Sequence, residues 1–317
     1  MLFDPTTHAL HPGSNHFQYY DTWNLWPGPI GVAGGTGDEH VRRCLAAQAQ
    51  LGVRSIVPAP AVRNAIDPEA HLALAMMGAG LRLDAGAIVT VCGTASFWES
   101  GPALDAYIGS VAQLRPSEVF VSILQSQDEY PARLRPACIF GVCRSAHALA
   151  LRSKVTLCHG DFAGLPAVAA GVSTLGTGWD LGQRRLTSSL SVKVRSERRN
   201  SQRCTYQGLL ASLKGSEVQR LEVRSPSLSH QLVPGAVPAD MVELWKHHIA
   251  TLHRIHGIIM SGGNRAVQVA TLRSLYAMAT TNFGSVKGVA RPLEADELRW
   301  IGPFSAGLEA YAASEGL

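Results

Sequence analysis

The sequence is poor in charge: Asp, Glu, Lys and Arg make up 16% of its 317 residues, below the roughly 25% of ordinary soluble domains. Hydrophobic residues make up 46%, which excludes disorder for most of the chain. The length allows a large buried core, either in one α/β barrel with an extension or in two ordinary domains.

Leader and membrane segments are also lacking. The first residues show no basic segment followed by an apolar run, and no uncharged apolar run has the length that spans a bilayer. The six cysteines include no C-x-x-C pair, which predicts reduced, mostly buried thiols. We therefore expect a cytoplasmic protein that does not bind membranes.

The familiar cofactor motifs are missing as well. Glycines at positions 34, 35 and 37 precede a predicted helix, but the G-x-G-x-x-G spacing of dinucleotide-binding proteins is absent. There is no H-E-x-x-H motif, and the histidines at 247, 248, 253 and 256 point to different sides of a predicted helix. The sequence thus contains no nicotinamide, flavin or zinc motif, and the cofactor stays unknown.

Apolar β-like runs alternate with helical patterns between residues 29 and 178. Strands are predicted near residues 30, 55, 88, 120, 139, 156 and 173, with 16–20 or 189–194 as an eighth. Strands that are apolar on both faces and alternate with helices favour a parallel sheet. We predict a (β/α)8 TIM-barrel-like fold, with an open doubly wound sheet as the alternative.

The composition changes after Gly178, which suggests three regions. We predict a barrel-like core over 1–185, which a strand at 189–194 could complete, a basic polar insertion or linker over 186–235, and a helical extension packed on the barrel over 236–317. The helix over 240–259 is expected to bury an apolar stripe that includes Met241, Trp245, Leu252 and Ile259.

Polar residues follow the predicted strands at the ends where parallel α/β folds place their chemistry. His159 and Asp161 follow the strand near 156, and Asp180 follows the next one. Histidine suits acid/base catalysis near neutral pH, and a carboxylate can orient it or bind substrate. These three residues are the catalytic candidates, although Asp161 could equally cap the next helix.

The stretch from Gly160 to Gly178 resembles the last two strand units of phosphate-binding TIM barrels. In that family a Gly-Asp turn, an Ala-rich helix and a β-run ending in Gly-x-Gly surround a phosphate. The resemblance implies that Gly176 and Gly178 let backbone amides approach an anion. Trp179 and Arg184 follow here, where the family has a short helix, and they join the substrate-binding candidates.

Further substrate-binding candidates lie at other predicted strand ends, where amide and guanidinium groups suit carbonyls, hydroxyls or anions. They are Gly34, Gly35 and Asp38 after the first strand, Gln125 after the strand near 120, and Arg144 after the strand near 139.

Basic residues are concentrated between 184 and 225, where ten Lys and Arg stand against three Glu. This segment could contact the phosphates of RNA or DNA, or form a solvated loop. A barrel beside a basic arm is similar to the tRNA-guanine transglycosylases, which exchange a base on a nucleic acid. The cysteine-rich zinc motif of that family is missing here.

Two functions follow as expectations. The first is a barrel enzyme, a lyase, transferase or hydrolase, that acts on a small anionic, phosphorylated or nucleoside-like substrate with His159 as the acid/base. The alternative is a nucleic-acid-associated protein, either transglycosylase-like or non-catalytic, that uses the basic segment. The sequence does not determine the oligomeric state.

Overall fold

A computed structural model describes residues 22–25, 27, 28, 30, 35–125, 132–178, 184, 186, 187, 202–233, 235–293 and 300–317. The runs at 16–20 and 189–194 and most of the predicted strand near residue 30 lie outside these residues. The same holds for the site candidates Gly34, Trp179 and Asp180.

The main sheet is parallel and runs in chain order. Its path is β1 (Val89–Thr94), β2 (Glu118–Gln125), β3 (Lys154–Cys158) and β4 (Thr174–Leu175). A short β5 (Leu186–Thr187) pairs in parallel with the end of β2, beyond the point where β3 stops. Parallel bridges from Ile56 to Ile88 and from Val62 to Gly93 place the segment near residue 55 beside β1. The mixed α/β fold with a parallel sheet is confirmed.

Helices and one hairpin complete the described structure. The helices are α1 (Thr36–Gln50), α2 (Pro68–Leu83), α3 (Ala95–Trp98), α4 (Pro102–Gln113), α5 (Pro136–Ala150), α6 (Leu165–Ala169), α7 (Gly215–Arg224), α8 (Pro226–Leu232), α9 (Met241–Met260), α10 (Arg265–Ala290) and α11 (Ile301–Glu315), and the antiparallel hairpin is β6 (Arg203–Tyr206) with β7 (Ala211–Lys214). Short 3₁₀ turns cover Asp161–Gly164 and Gln207–Leu209. No helix of the described ranges could cross a membrane.

Sequence signals explain where several helices begin. Helices α2, α4, α5, α6 and α8 carry a proline in their first turn, where its fixed φ and missing N–H cost nothing. The Asp240 and Asn264 side chains cap α9 and α10 by accepting hydrogen bonds from backbone N–H groups, as good N-cap residues do. Buried residues from the sheet, the hairpin and the carboxyl-terminal helices form one continuous core.

The predicted strand over 137–143 is wrong, because these residues form the first half of α5. Pro136 starts the helix, and the buried residues Cys138, Ile139, Val142, Cys143, Ala146 and Leu149 follow helical spacing. A short apolar run has no period of its own to separate a buried strand from a buried helix. A barrel of eight strands would therefore need both sequence runs that lie outside the described residues.

Gly141 lets α5 lie directly against α3. A Cβ atom at this position would overlap the carbonyl oxygen of Trp98, whose fully buried indole donates a hydrogen bond to Gly93. We expect Gly141→Ala to lower the free energy of unfolding by about 1 to 3 kcal/mol or more, since a backbone atom cannot give way cheaply. Urea denaturation measures this change.

Gly109→Ala on α4 is the matched control. A Cβ atom there meets nothing within 4 Å, so the same substitution should raise the free energy of unfolding by about 0.5 to 1 kcal/mol through helix propensity. If both variants shifted stability equally, the close approach of α5 and α3 would be refuted.

The buried face of α9 is rotated from the predicted apolar stripe. Leu252 and Ile259 are buried as expected, but Met241 and Trp245 are only half-buried. The buried face instead contains Leu244, His248, Thr251, Leu252, Ile255 and Ile259. Hydrophobicity alone misplaces the face because a histidine, held by hydrogen bonds, occupies its centre.

Candidate functional site

His159 and Asp161 lie directly after the carboxyl end of β3, in an unusual backbone conformation. Their φ angles are 53° and 46°, in the left-handed region that costs most L-residues free energy and that His and Asp tolerate better than bulky residues. The N–H of Asp161 donates to the Gly176 carbonyl, which ties this turn to the residue after β4. His159 is half-buried, whereas Asp161 is fully buried.

The Asp161 carboxylate accepts hydrogen bonds on both oxygens. Oδ1 accepts from the backbone N–H of Phe162 at 2.7 Å. Oδ2 accepts from Thr177 Oγ1 at 2.5 Å and from His248 Nε2 at 2.9 Å. Arg184 Nε lies 3.9 Å from the same oxygen. The carboxylate therefore joins the ends of β3 and β4 to helix α9.

The hydrogen bonds continue from His248 into the β6–β7 hairpin. His248 Nδ1 lies 2.8 Å from Thr205 Oγ1, which lies 2.9 Å from Ser212 Oγ. Because an ionised carboxylate only accepts, His248 Nε2–H donates to Asp161, and in the neutral imidazole Nδ1 then accepts from Thr205. All four side chains are at most 3% exposed, so the hydroxyl–imidazole–carboxylate chain is a positioning network rather than an accessible nucleophile.

Arg184 brings a buried positive charge to the same place. Its Nε donates to the Gly178 carbonyl at 3.2 Å, and its side chain is 5% exposed. The structure thus brings together four predicted site residues, namely His159, Asp161, Gly178 and Arg184. It adds four that the sequence analysis did not propose for the site: Thr177, Thr205, Ser212 and His248.

The environment shifts the pKa values of the buried pair. Burial alone raises the pKa of Asp161, but attraction to His248 and Arg184, together with the hydrogen bonds from His248 and Thr177, lowers it to about 2. Burial lowers the pKa of His248, although the neighbouring Asp161 carboxylate raises it in part. The network therefore holds an ionised carboxylate beside an imidazole that is harder to protonate than usual.

Acid should weaken this network in a defined pH window. The folded pKa of Asp161 lies below its ordinary value of 3.8, so its stabilisation is present above that value and is lost as pH falls toward the folded pKa. We expect a loss of roughly 2 kcal/mol from this group. Urea unfolding of the parent protein and of Asp161→Asn, measured from about pH 5 to pH 2, isolates this contribution. The difference between their free energies of unfolding should become smaller as the pH falls. A constant difference would contradict the assignment.

Gly176 does not have the role implied by the phosphate-barrel resemblance. Its N–H donates to the Leu157 carbonyl at 2.8 Å and is therefore not available to an anion. A Cβ atom at Gly176 would come 3.1 Å from that carbonyl oxygen. The glycine allows the chain after β4 to pack closely against β3.

Arg144 is not at a strand end, because the strand near 139 is helix α5. It forms ion pairs with Asp105 at 3.1 Å and with Glu315 at 3.9 Å. Gln125, by contrast, is the last residue of β2 as predicted, half-buried and in register with Thr187 of β5.

Gly35 and Asp38 begin helix α1. Gly35 is the N-cap residue with φ 70°, and Asp38 is 60% exposed and lies 3.7 Å from Arg82. An acidic residue in the first turn favours the helix dipole, which accounts for Asp38 without a ligand.

Several cations of the basic segment contact the protein itself. Arg220 donates to the carbonyls of Ala290 and Pro292, and Arg224 donates to Val289. The carbonyls of Val289 and Ala290 lie at the carboxyl end of α10 and Pro292 follows it, and cations stabilise a helix at this end. The guanidinium groups thus have a structural role that is independent of nucleic acid.

Within the described ranges, no cluster of three or more His, Cys, Asp or Glu side chains could hold a metal ion. His248 contributes to the carboxylate network instead, and His247 Nε2 bonds to the carbonyl of Thr205 at 2.8 Å.

Comparison with protein-family models, with curated proteins and with solved structures finds no match for this chain. The assignment of function consequently depends on the residues of the site alone.

Proposed function

We propose that the protein is an enzyme that acts on a small anionic substrate, phosphorylated or nucleoside-like, at the carboxyl edge of its parallel sheet. His159 is the proton-transfer group, and Asp161 is a positioning residue that holds the turn. Arg184 supplies positive charge at this edge. The reaction is a lyase, transferase or hydrolase reaction.

The observation that carries the proposal is the left-handed backbone at His159. A turn with φ 53° would be satisfied at lower cost by glycine or asparagine. Strained non-glycine residues concentrate at functional sites, where the surrounding structure compensates the strain. Here the Asp161 network compensates it, and the imidazole is half-buried at the edge where parallel sheets bind ligands.

The sheet order supports the barrel form of this proposal. The strands from the segment near residue 55 to β4 follow chain order without reversal, as in (β/α)8 barrels and unlike doubly wound sheets, whereas β5 pairs with β2 outside this order. We propose that the strands in chain order are part of a barrel of this kind.

Ligand-induced stabilisation tests the proposal. The purified protein is heated with inorganic phosphate, ribose 5-phosphate or nucleoside monophosphates, and with uncharged ribose and nucleosides as controls. A ligand at about 100 times its Kd adds about 2.7 kcal/mol, so at least one anionic compound should raise the Tm by about 5 °C.

Arg184→Gln is the variant for this experiment, with Arg82→Gln on the exposed surface as its control. The ligand-induced rise in Tm, measured against each variant's own baseline, should disappear with Arg184→Gln and persist with Arg82→Gln. If no anion stabilises the protein, or if Arg184→Gln keeps the full rise, the proposal is wrong.

A further inference from the structure

A cleft of about 340 Å³, which shares no lining residue with the carboxyl-edge site, lies between the 3₁₀ turn at Gln207–Leu209, helix α8 and helix α10. Its size is within the range of small-molecule sites. Its lining is Gln207, Gly208, Gln231, Leu232, Leu275, Met278 and Asn282. The cleft therefore combines three carboxamides with three flexible apolar side chains and has no charged side chain in its lining.

Internal hydrogen bonds fix the orientation of two of the amides. Asn282 Nδ2 donates to the Gly208 carbonyl at 2.7 Å, which leaves Oδ1 as an acceptor. Gln207 Oε1 accepts from Arg254 at 3.1 Å, which leaves Nε2 as a donor. An oriented donor and an oriented acceptor thus line one cleft, and the exposed Gln231 adds an adaptable amide.

The apolar part of the lining suits a flat ring. Leu232 is buried, Leu275 is half-buried, and Met278 is 52% exposed although it is hydrophobic. A methionine thioether makes favourable contacts with aromatic rings and adapts to their shape. The lining itself holds no charged side chain, and the exposed Arg254 guanidinium beside it is already hydrogen-bonded to Gln207, so a charged ligand would lose hydration here with little compensation.

We propose that this cleft binds an uncharged heteroaromatic small molecule through an amide-type donor–acceptor edge. A heteroaromatic carboxamide and a purine base share this chemistry, since Asn and Gln side chains pair with such edges. The site is independent of His159 and of the proposed reaction.

Titration with nicotinamide and adenine as neutral probes, and with nicotinate as the charged analogue, tests the proposal. Isothermal titration and ligand-observed NMR should give a Kd of about 1 mM or tighter for at least one neutral probe. Nicotinate, which differs from nicotinamide by a carboxylate in place of the amide, should bind at least about tenfold more weakly. A lower Kd for nicotinamide would identify the ligand class as a heteroaromatic carboxamide. A lower Kd for adenine would identify it as a purine base.

Variants locate the binding. Gln231→Leu and Asn282→Leu should each weaken the neutral probe about tenfold, whereas Gln113→Leu, an exposed amide on α4, should not change the Kd. The Gln231 side chain is exposed, so its variant is expected to keep the fold even if Asn282→Leu does not. Binding should persist in His159→Asn, which separates this site from the carboxyl edge. If no neutral probe binds, if nicotinate binds equally well, or if Gln231→Leu leaves the Kd unchanged, the inference is overturned.

Discussion

Replacing Asp161 with alanine is expected to lower the free energy of unfolding by about 3 to 5 kcal/mol, the usual cost of removing one member of a buried charge pair. The variant leaves the buried Arg184 without its carboxylate at 3.9 Å. It also removes the acceptor for His248 and Thr177, and unsatisfied buried donors are costly. Urea unfolding near neutral pH measures the loss.

Asp38→Ala is the control, because Asp38 is also an aspartate paired with an arginine but is 60% exposed. Exposed pairs contribute little, so this variant should change stability by no more than about 0.5 kcal/mol. If Asp161→Ala lowered the free energy of unfolding as little as Asp38→Ala does, the network would not stabilise the fold. The role of Asp161 in holding the turn at His159 would then be refuted.

His159→Asn is expected to lower kcat by about 10²- to 10⁴-fold for the substrate found by the stabilisation screen, the usual contribution of general acid–base catalysis. Asparagine tolerates the left-handed backbone that this position requires, so the Tm should stay within a few degrees of the parent value. A lower kcat at an unchanged Tm would then be due to the missing imidazole and not to a disturbed turn.

The pH–rate profile separates catalysis from structure. If His159 transfers the proton, His159→Asn should remove one limb of the profile, whereas a merely structural residue would leave its shape unchanged. His71→Asn, on the exposed side of α2, should leave both rate and profile as they are. Full activity in His159→Asn would contradict the proposed mechanism.

Local patterns predicted those elements whose signals lie within one segment. Strands β1, β2 and β3 lie where the sequence predicts strands near residues 88, 120 and 156, and helix α1 follows the glycines at 34 and 35 as predicted. The run at 137–143 failed for a physical reason. Its apolar residues would face the core in a strand as well as in a helix. The signal that favours the helix is Pro136, directly before the run.

The candidate site shows a different limit of prediction from the sequence. The position of His159 and Asp161 after a strand could be predicted, because strand ends are local features. The partner of Asp161 could not, since His248 is 87 residues away along the chain. The available signal was a histidine between Leu244 and Leu252 on the buried side of α9, since a buried imidazole requires a partner. Thr205 and Ser212 carried no comparable signal.

The position of β5 in the sheet affects the order in which parts of the fold can form during synthesis. Domains begin to form as the chain leaves the ribosome, from the amino-terminal side, so β1 to β4 emerge before Leu186 can pair with Leu124. Asp161 emerges with them, but its imidazole partner follows 87 residues later. A nascent chain that ends before α9 lacks the imidazole that donates to Asp161 in the folded protein. The carboxyl edge of the sheet can therefore be completed only after His248 has left the ribosome, although the strands that form this edge are made much earlier.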